Sequence, residues 1–396
     1  MIFKNTIENF ALIFEACKRE FKMIFSDSAV VMSYILSTLA VAFFYSYVYS
    51  NEVFTDLPVA VVDSDQTSMS HQISRMIDAT PELHAAYTTA SLEKAKTLYQ
   101  EGIVKGIVAI PKGFSRELQK GDVPAISVYG DASYMLYYKQ TLTAVMQSVG
   151  TLNGQVEIKK MISNGIPMQQ AMHTRRPFGI VGIPLFNINV GYATFLIPIV
   201  FIIAVQTLQL TAMGILNGTL REKRIFAETF SYARQKFSSV FLTLGRAMAY
   251  LIISMVLLLI QIVIVMHVYT FPQRGNLWEI IVFLIPVILS ITFLGMIMTS
   301  LFRRREDAIM TVTIFSIPTL VLCGLSWPTT AFPVWAKIVS AFIPSTLGVK
   351  GFISLSQFGA SLSEIRDVYI QMWGLCVFYF VFAVLTNRKY LRKENN

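Results

Sequence analysis

Residues 191–216, GYATFLIPIVFIIAVQTLQLTAMGIL, run without a single charged side chain. A helix needs about 20 apolar residues to cross a hydrocarbon core roughly 30 Å thick, because each residue rises about 1.5 Å. The stretch therefore reads as a membrane span. Working outward, five further segments read the same way, at 29–49, 247–268, 278–301, 308–325 and 368–385. One span precedes a long polar stretch and five follow it. A chain that is 54% hydrophobic and 14% charged is too apolar for an ordinary soluble protein. The fold class expected is an α-helical integral membrane protein with six transmembrane helices, plus an α/β extracytoplasmic domain inserted between helices 1 and 2.

Lys and Arg collect on cytoplasmic loops. Lys4, Lys18, Arg19 and Lys22 precede the first span, and Arg221, Lys223, Arg224, Arg234 and Lys236 follow the second. Arg303, Arg304 and Arg305 follow the fourth; Arg388, Lys389, Arg392 and Lys393 close the sequence. The opposite loops hold only Arg274, then Lys337, Lys350 and Arg366. Both termini are thus expected in the cytoplasm, and the net charge of +9 is a topology signal that needs no nucleic acid. The first span is expected to be a retained anchor, since its basic leader is long and no A-x-A-like site follows it. The boundaries are a surface helix at 1–28, a first helix at 29–49, an α/β domain at 50–190, a five-helix domain at 191–387 and a basic tail at 388–396.

Ile7, Phe10, Ala11, Phe14, Cys17, Phe21, Ile24 and Phe25 recur at helical spacing, with Glu15, Lys18, Arg19 and Lys22 opposite. This is an amphipathic helix expected to lie on the membrane surface and touch lipid. In the polar insert, 59–62, 103–110 and 125–129 read as strands, and 69–77, 92–100, 114–120 and 134–163 as helices. No cysteine falls in this domain, so its apolar core must suffice. Asp63 and Asp65 form a D-x-D where a strand ends and a helix begins, which turn and N-cap chemistry explains without a metal. The four histidines are far apart and lack ligand spacing.

The spans carry no midplane carboxylate of the kind that ion-driven transporters keep. Gln206, Gln209 and Gln261 are the translocation-path candidates, although hydrogen bonding between packed helices is the favoured reading of the Gln206–Gln209 face. No G-x-x-x-x-G-K-[ST] loop occurs, so the energy source lies on another chain. The connection 217–245 opens on Arg221, Glu222, Lys223 and Arg224, a charged patch suited to a motor subunit or simply to solvent.

Several stretches taken in order carry a family resemblance. LPVAVVDSDQTSMSHQI at 57–73, EGIVKGIVAIPKGFSRELQKGD at 101–122 and ISVYGDAS at 126–133 resemble the outer domain of ABC-2 type permeases, the membrane subunits of ATP-binding-cassette exporters. LFNINVGYATFLIPIV at 185–200 is similar to the start of their membrane half, and LREKR at 220–224 to their charged coupling motif. The Gly-Thr pair often found after that motif is replaced here by Phe226-Ala227-Glu228-Thr229. CGLSWPTTAFPVWAKIVSAFIPSTLGVKGF at 323–352 resembles their re-entrant segment, with Gly324, Pro328, Pro333 and Pro344 matching and its bounds at 326–366.

The resemblance implies a half-transporter that is not itself an enzyme. ATP and Mg would be bound by a separate cytoplasmic ABC ATPase subunit, engaged through Lys18, Arg19, Arg221, Glu222, Lys223 and Arg224. A second permease subunit, identical or paralogous, would complete the path, and a periplasmic adaptor could dock outside. The cargo would be drug-like, lipid-like or otherwise hydrophobic, and the site the bacterial cytoplasmic (inner) membrane. A membrane sensor or scaffold with an extracytoplasmic receptor domain is the alternative.

Overall fold

The computed structural model describes residues 2–53, 55–120, 122–175, 185–187, 191–230, 238–300 and 304–393. The chain divides into two compact units, one of Met1–Glu52 with Pro184–Asn396 and one of Val53–Ile183.

The smaller unit holds strands β1 (Leu57–Asp63), β2 (Leu83–Thr89), β3 (Gly106–Ile110) and β4 (Ser127–Gly130) in the order β2-β1-β3-β4. β1 runs parallel to β2 and β3, and β4 closes the sheet antiparallel to β3. Side chains of a strand alternate between faces. Val59 and Val61 therefore join one core with Ile73, Ile77, Val108 and Leu152, while Ala60 and Val62 join another with Ala95 and Ile107. Two covered faces explain why β1 reads as an unbroken apolar run rather than an alternating one. Two helices of the larger unit, α1 (Ile2–Ser26) and α2 (Ser28–Val48), come first in the chain; the helices here are α3 (Ser68–Asp78), α4 (Leu92–Gln100), α5 (Phe114–Lys120), α6 (Met135–Ser163) and α7 (Met168–Arg175).

Sequence reasoning missed β2. Its segment LHAAYTT is an edge strand with only Leu83 fully buried, so no apolar alternation announces it. The strand expected from 103 begins only at Gly106, where a Cβ would meet the Thr141 side chain at 3.0 Å.

The D-x-D is a turn, but neither aspartate caps the helix. Thr67 is the N-cap of α3, in a capping box with Ser70. Asp63 Oδ1 accepts from the backbone N–H of Asp65 and Gln66 at 3.0 and 2.9 Å. Asp65 accepts from the Gly113 N–H at 2.8 Å, the Ser115 N–H at 3.1 Å and the hydroxyls of Ser115 and Thr67 at 2.7 and 2.8 Å. It therefore ties the β1 turn to the start of α5.

The larger unit opens with α1 (Ile2–Ser26) and α2 (Ser28–Val48), separated by Asp27, whose carboxylate caps α2 through the N–H groups of Ala29 and Val30. Then follow α8 (Tyr192–Glu222), the short α9 (Phe226–Thr229), α10 (Ser239–Val268), α11 (Leu277–Thr299), α12 (Arg305–Leu322), α13 (Val334–Ala341), α14 (Pro344–Ser356) and α15 (Arg366–Lys393). Five of these, α2, α8, α10, α11 and α15, are long and apolar enough to cross a membrane. The fifth expected span, 308–325, falls on α12, an 18-residue helix that opens on Arg305, Glu306 and Asp307 and so is not among these five. Among the described residues a sixth candidate is the pair α13 and α14, bent by 84° at their junction, if it is counted as one broken span.

α8 is the hub. Its apolar window is 72% buried, against 22% for α2 and 33% for α15, and it packs on α2, α11, α12 and α14. Lipid provides no hydrophobic drive between helices, so close backbone approach and interhelical hydrogen bonds must hold them. Gly245 of α10 allows such an approach, because a Cβ there would lie 2.5 Å from the Ile13 carbonyl of α1. α2 and α10 each contain a π-helical turn, at Val31–Leu36 and Ile260–Val265, which proline and glycine patterns gave no sign of.

Burial alone pushes the Asp65 carboxyl up, but its hydrogen bonds from Ser115, Thr67 and Gly113 outweigh this and hold it below the ordinary carboxylate range. A carboxylate with a depressed folded-state pKa stabilises the fold above the unfolded value of about 3.9, and that contribution fades as pH falls through the carboxylate range. Hydrogen exchange on the intact protein checks this. Amides of β1 and α3 are expected to lose protection below about pH 4, and Asp65→Asn to abolish much of that pH dependence.

Candidate functional site: a buried ionic junction at the basic end of the helices

Glu20 on α1 and Arg246 on α10 are 0% and 1% exposed. Arg246 donates through Nε to Glu20 Oε2 at 2.8 Å and through Nη2 to Glu20 Oε1 at 3.0 Å, a bidentate pair. The same Nη2 donates to Asn217 Oδ1 of α8 at 2.7 Å, and Asn217 Nδ2 donates to Thr299 Oγ1 of α11 at 3.0 Å. The guanidinium also lies over the rings of Phe230 and Phe226, at 5.0 and 5.6 Å. Four long helices meet at one cation.

Arg221 continues the junction. Its Nη1 donates to the Ser300 carbonyl at 2.6 Å, its guanidinium lies 3.9 Å from the Tyr390 ring centroid, and the Tyr390 hydroxyl donates to the same carbonyl at 2.6 Å. Asn387 of α15 donates to Thr243 Oγ1 of α10 at 2.9 Å.

The run LREKR ends α8 in a defined way. Arg224 has φ of 54°, and the Ile225 N–H returns to the Leu220 carbonyl at 3.0 Å. This is the six-to-one bond of a Schellman motif, in which a left-handed residue reverses the chain. The reversal leaves Glu222, Lys223 and Arg224 exposed and folds Leu220, Phe226 and Phe230 into a cluster with Ala16 of α1 and Leu391 of α15. An L-residue in that conformation costs roughly 1–2 kcal/mol, which the apolar closure beneath it offsets. The expected connection 217–245 is therefore shorter than its sequence bounds, since α8 is helical to Glu222 and α10 begins before Arg246. Arg234, Lys236 and Arg303 lie outside the described residues.

α1 faces the bundle through one narrow stripe. Its buried face is Ala16, Glu20 and Ile24, seated on α10, while Phe14 and Phe25 are 71% and 57% exposed. Lys18 is exposed and Arg19 half-buried. Sequence reasoning passed over Glu20. The signal was available: a lone arginine in TLGRAMAYLIISMV requires a counter-charge, and Glu20 stands four residues from both Ala16 and Ile24.

The three glutamines separate. Gln209 is buried in a chain of hydrogen bonds across four helices: its Nε2 donates to Thr292 at 2.7 Å, and its Oε1 accepts from Ser254 at 2.7 Å, which in turn bonds the Tyr34 hydroxyl. Gln261 sits in the π-helical turn of α10, its Nε2 3.4 Å from the Thr38 carbonyl. Gln206 accepts from the Ser345 N–H at the start of α14, at 2.8 Å, and lines a cavity that the other two do not. The residues singled out in the bent segment all punctuate it. Gly324 follows α12 with φ of 92°, Pro328 precedes a 3-10 turn, Pro333 precedes α13 and Pro344 opens α14.

Removing one member of a buried ion pair strands the other and costs about 3–5 kcal/mol. Glu20→Leu and Arg246→Met are each expected to destabilise the detergent-solubilised protein by that order, and the double variant Glu20→Leu/Arg246→Met to recover most of the loss. Thermal or denaturant unfolding of the four-member cycle checks it, and additive losses would refute the pairing.

The comparisons with known proteins agree with this architecture. A family described as ABC-2 family transporter protein matches residues 29–385. The linearmycin resistance permease protein LnrN of Bacillus subtilis is 21% identical, covering 83% of this chain and 85% of its own. The inner membrane transport permease YhhJ of Escherichia coli is 24% identical, covering 95% and 97%. With a family match across nearly all of its length and apolar helices enough for several crossings, the chain belongs to the ABC-2 family of transporters and is a multi-pass membrane permease subunit of an ABC transporter.

Proposed function

We propose that this subunit exports a hydrophobic, drug-like or lipid-like compound from the cytoplasm or inner leaflet, driven by ATP hydrolysed on a separate cytoplasmic subunit. The observation that carries the reading is the junction itself. It joins α1, α8, α10 and α11 to an exposed Glu222-Lys223-Arg224 turn, so a push on that turn moves several spans together.

Both termini are read as cytoplasmic, because the basic residues of α1, the α8 turn, the start of α12 and the end of α15 then share the inner face. The unit Val53–Ile183 follows α2 and precedes α8, which puts it outside under this topology. The name inner membrane transport permease on one relative supports that membrane, and the resistance named in the other supports outward transport.

The motor's nucleotide cycle would act as follows. Lys18, Arg19 and the α8 turn contact the ATPase, and closure of the motor displaces them. The bidentate pair resists separation of α1 from α10, so the displacement passes into rigid-body tilt. α8, 31 residues long, spans roughly 45 Å at about 1.5 Å per residue. At its far end Glu52 holds it, accepting from the Tyr192 N–H at 2.9 Å and the Thr194 hydroxyl at 2.6 Å. A second permease subunit completes the path, and the equilibrium between inward and outward arrangements is biased by nucleotide.

Affinity purification from native membranes with mass spectrometry tests this. A stoichiometric ATP-binding chain is expected, with ATPase activity stimulated by the permease. Alanine at Glu222, Lys223 and Arg224 together is expected to reduce co-purification at least tenfold while leaving the permease monodisperse. A pure permease without any ATP-binding chain overturns the reading.

A further inference from the structure

A cavity of about 380 Å³ lies between α12 and the helices α8, α11 and α15, capped by α13. That volume falls in the range of about 300–1,000 Å³ typical of small-molecule sites. Its walls are formed within one subunit and at membrane depth: Gln206 stands near the middle of α8, Leu294 in α11 and Tyr379 in α15, all three candidate spans. None of the residues lining it is charged.

Three of the six polar residues on the wall have their hydroxyls satisfied within the protein. Thr311 donates to the Asp307 carbonyl at 2.9 Å, Ser316 to Thr313 at 2.7 Å and the Tyr379 hydroxyl to Phe342. Gln206 is different. It is 3% exposed and its Oε1 is taken by the Ser345 N–H, yet its Nε2 has no hydrogen-bond partner among the described residues. The Thr319 hydroxyl, on a residue 8% exposed, has no partner among them either. With the Thr207 hydroxyl, three polar groups without a partner among the described residues thus line a largely apolar space.

We propose that this cavity is a binding site for one acyl chain of a neutral amphiphile, its carbonyl or hydroxyl oxygen accepting from Gln206 Nε2 and its hydrocarbon lying against Leu210, Met298 and Phe315. An apolar tail matches the walls, and an acceptor oxygen matches the free amide. A charged head finds no counter-ion among the lining residues. The site needs only one subunit's fold, so it stands whether or not the ATPase partner is found. A membrane lipid and a transported compound share this chemistry.

Photolabelling of the intact protein in nanodiscs with a diazirine-bearing monoacylglycerol tests the proposal. Labelling is expected on peptides 206–210, 294–298 and 311–322, and unlabelled monoacylglycerol in excess is expected to displace it. Gln206→Leu should weaken the probe's apparent affinity by about tenfold, the worth of one hydrogen bond, which at half-saturating probe lowers labelling by about fivefold. Leu294→Trp should fill the cavity and abolish it. Should either variant fold poorly, displacement in the unmodified protein decides. Labelling that resists displacement, or that falls mainly on the exposed Val377 and Val381 of α15, overturns the site; unchanged labelling in a well-folded Gln206→Leu overturns the head-group assignment. With the co-purified ATPase present, release of the probe on ATP hydrolysis identifies cargo, and retention identifies a resident lipid.

Discussion

The structure depends on keeping the Arg246 charge paired where water cannot reach it. An isolated charge in a low-dielectric interior costs many kcal/mol, and a bidentate carboxylate with further hydrogen bonds is what makes the burial tolerable. Glu20 supplies that carboxylate from a helix that does not itself qualify as a span, and Asn217 supplies a further acceptor from α8. Because each partner lies on a different helix, the requirement to pair the charge fixes the positions of the helices. Gly245 belongs to the same constraint, since without that close approach of α1 to α10 the carboxylate would not reach.

Polar residues elsewhere in the bundle divide by whether their hydrogen bonds close. The chain from Tyr34 through Ser254 and Gln209 to Thr292 closes, and it binds α2, α10, α8 and α11 at mid-depth. Interhelical bonds of this kind are individually modest in a membrane, so their effect is register rather than bulk stability. Gln206, three residues before Gln209, does not close its set, and the difference follows from its neighbours: Gln209 meets two hydroxyls, whereas Gln206 meets a single helix N-terminus and a cavity. The break between α13 and α14 creates that contact, because Pro344 starts α14 and leaves the Ser345 N–H without an intrahelical acceptor.

The apolar spans were legible because each crossing demands a long run of side chains that lipid can solvate, and such a run is visible residue by residue. The charge asymmetry was legible for a similar reason, as was the α/β character of the insert, where LPVAVVD and GIVAI can hardly be other than buried strands. The edge strand LHAAYTT was not, since pairing with β1 rather than its own burial makes it a strand.

The sequence by itself determined the material of this protein: where its long apolar runs lie, where the polar module is inserted and that one of those runs carries the lone charge of Arg246. Only the tertiary structure decided that the counter-charge is Glu20, more than two hundred residues away in the chain (|i−j| of 226). It also decided that Gln206 and Gln209, on nearly the same face of one helix, meet different surroundings. Such pairings are set by which helices lie side by side, and nothing local in the chain encodes a distance between residues so far apart.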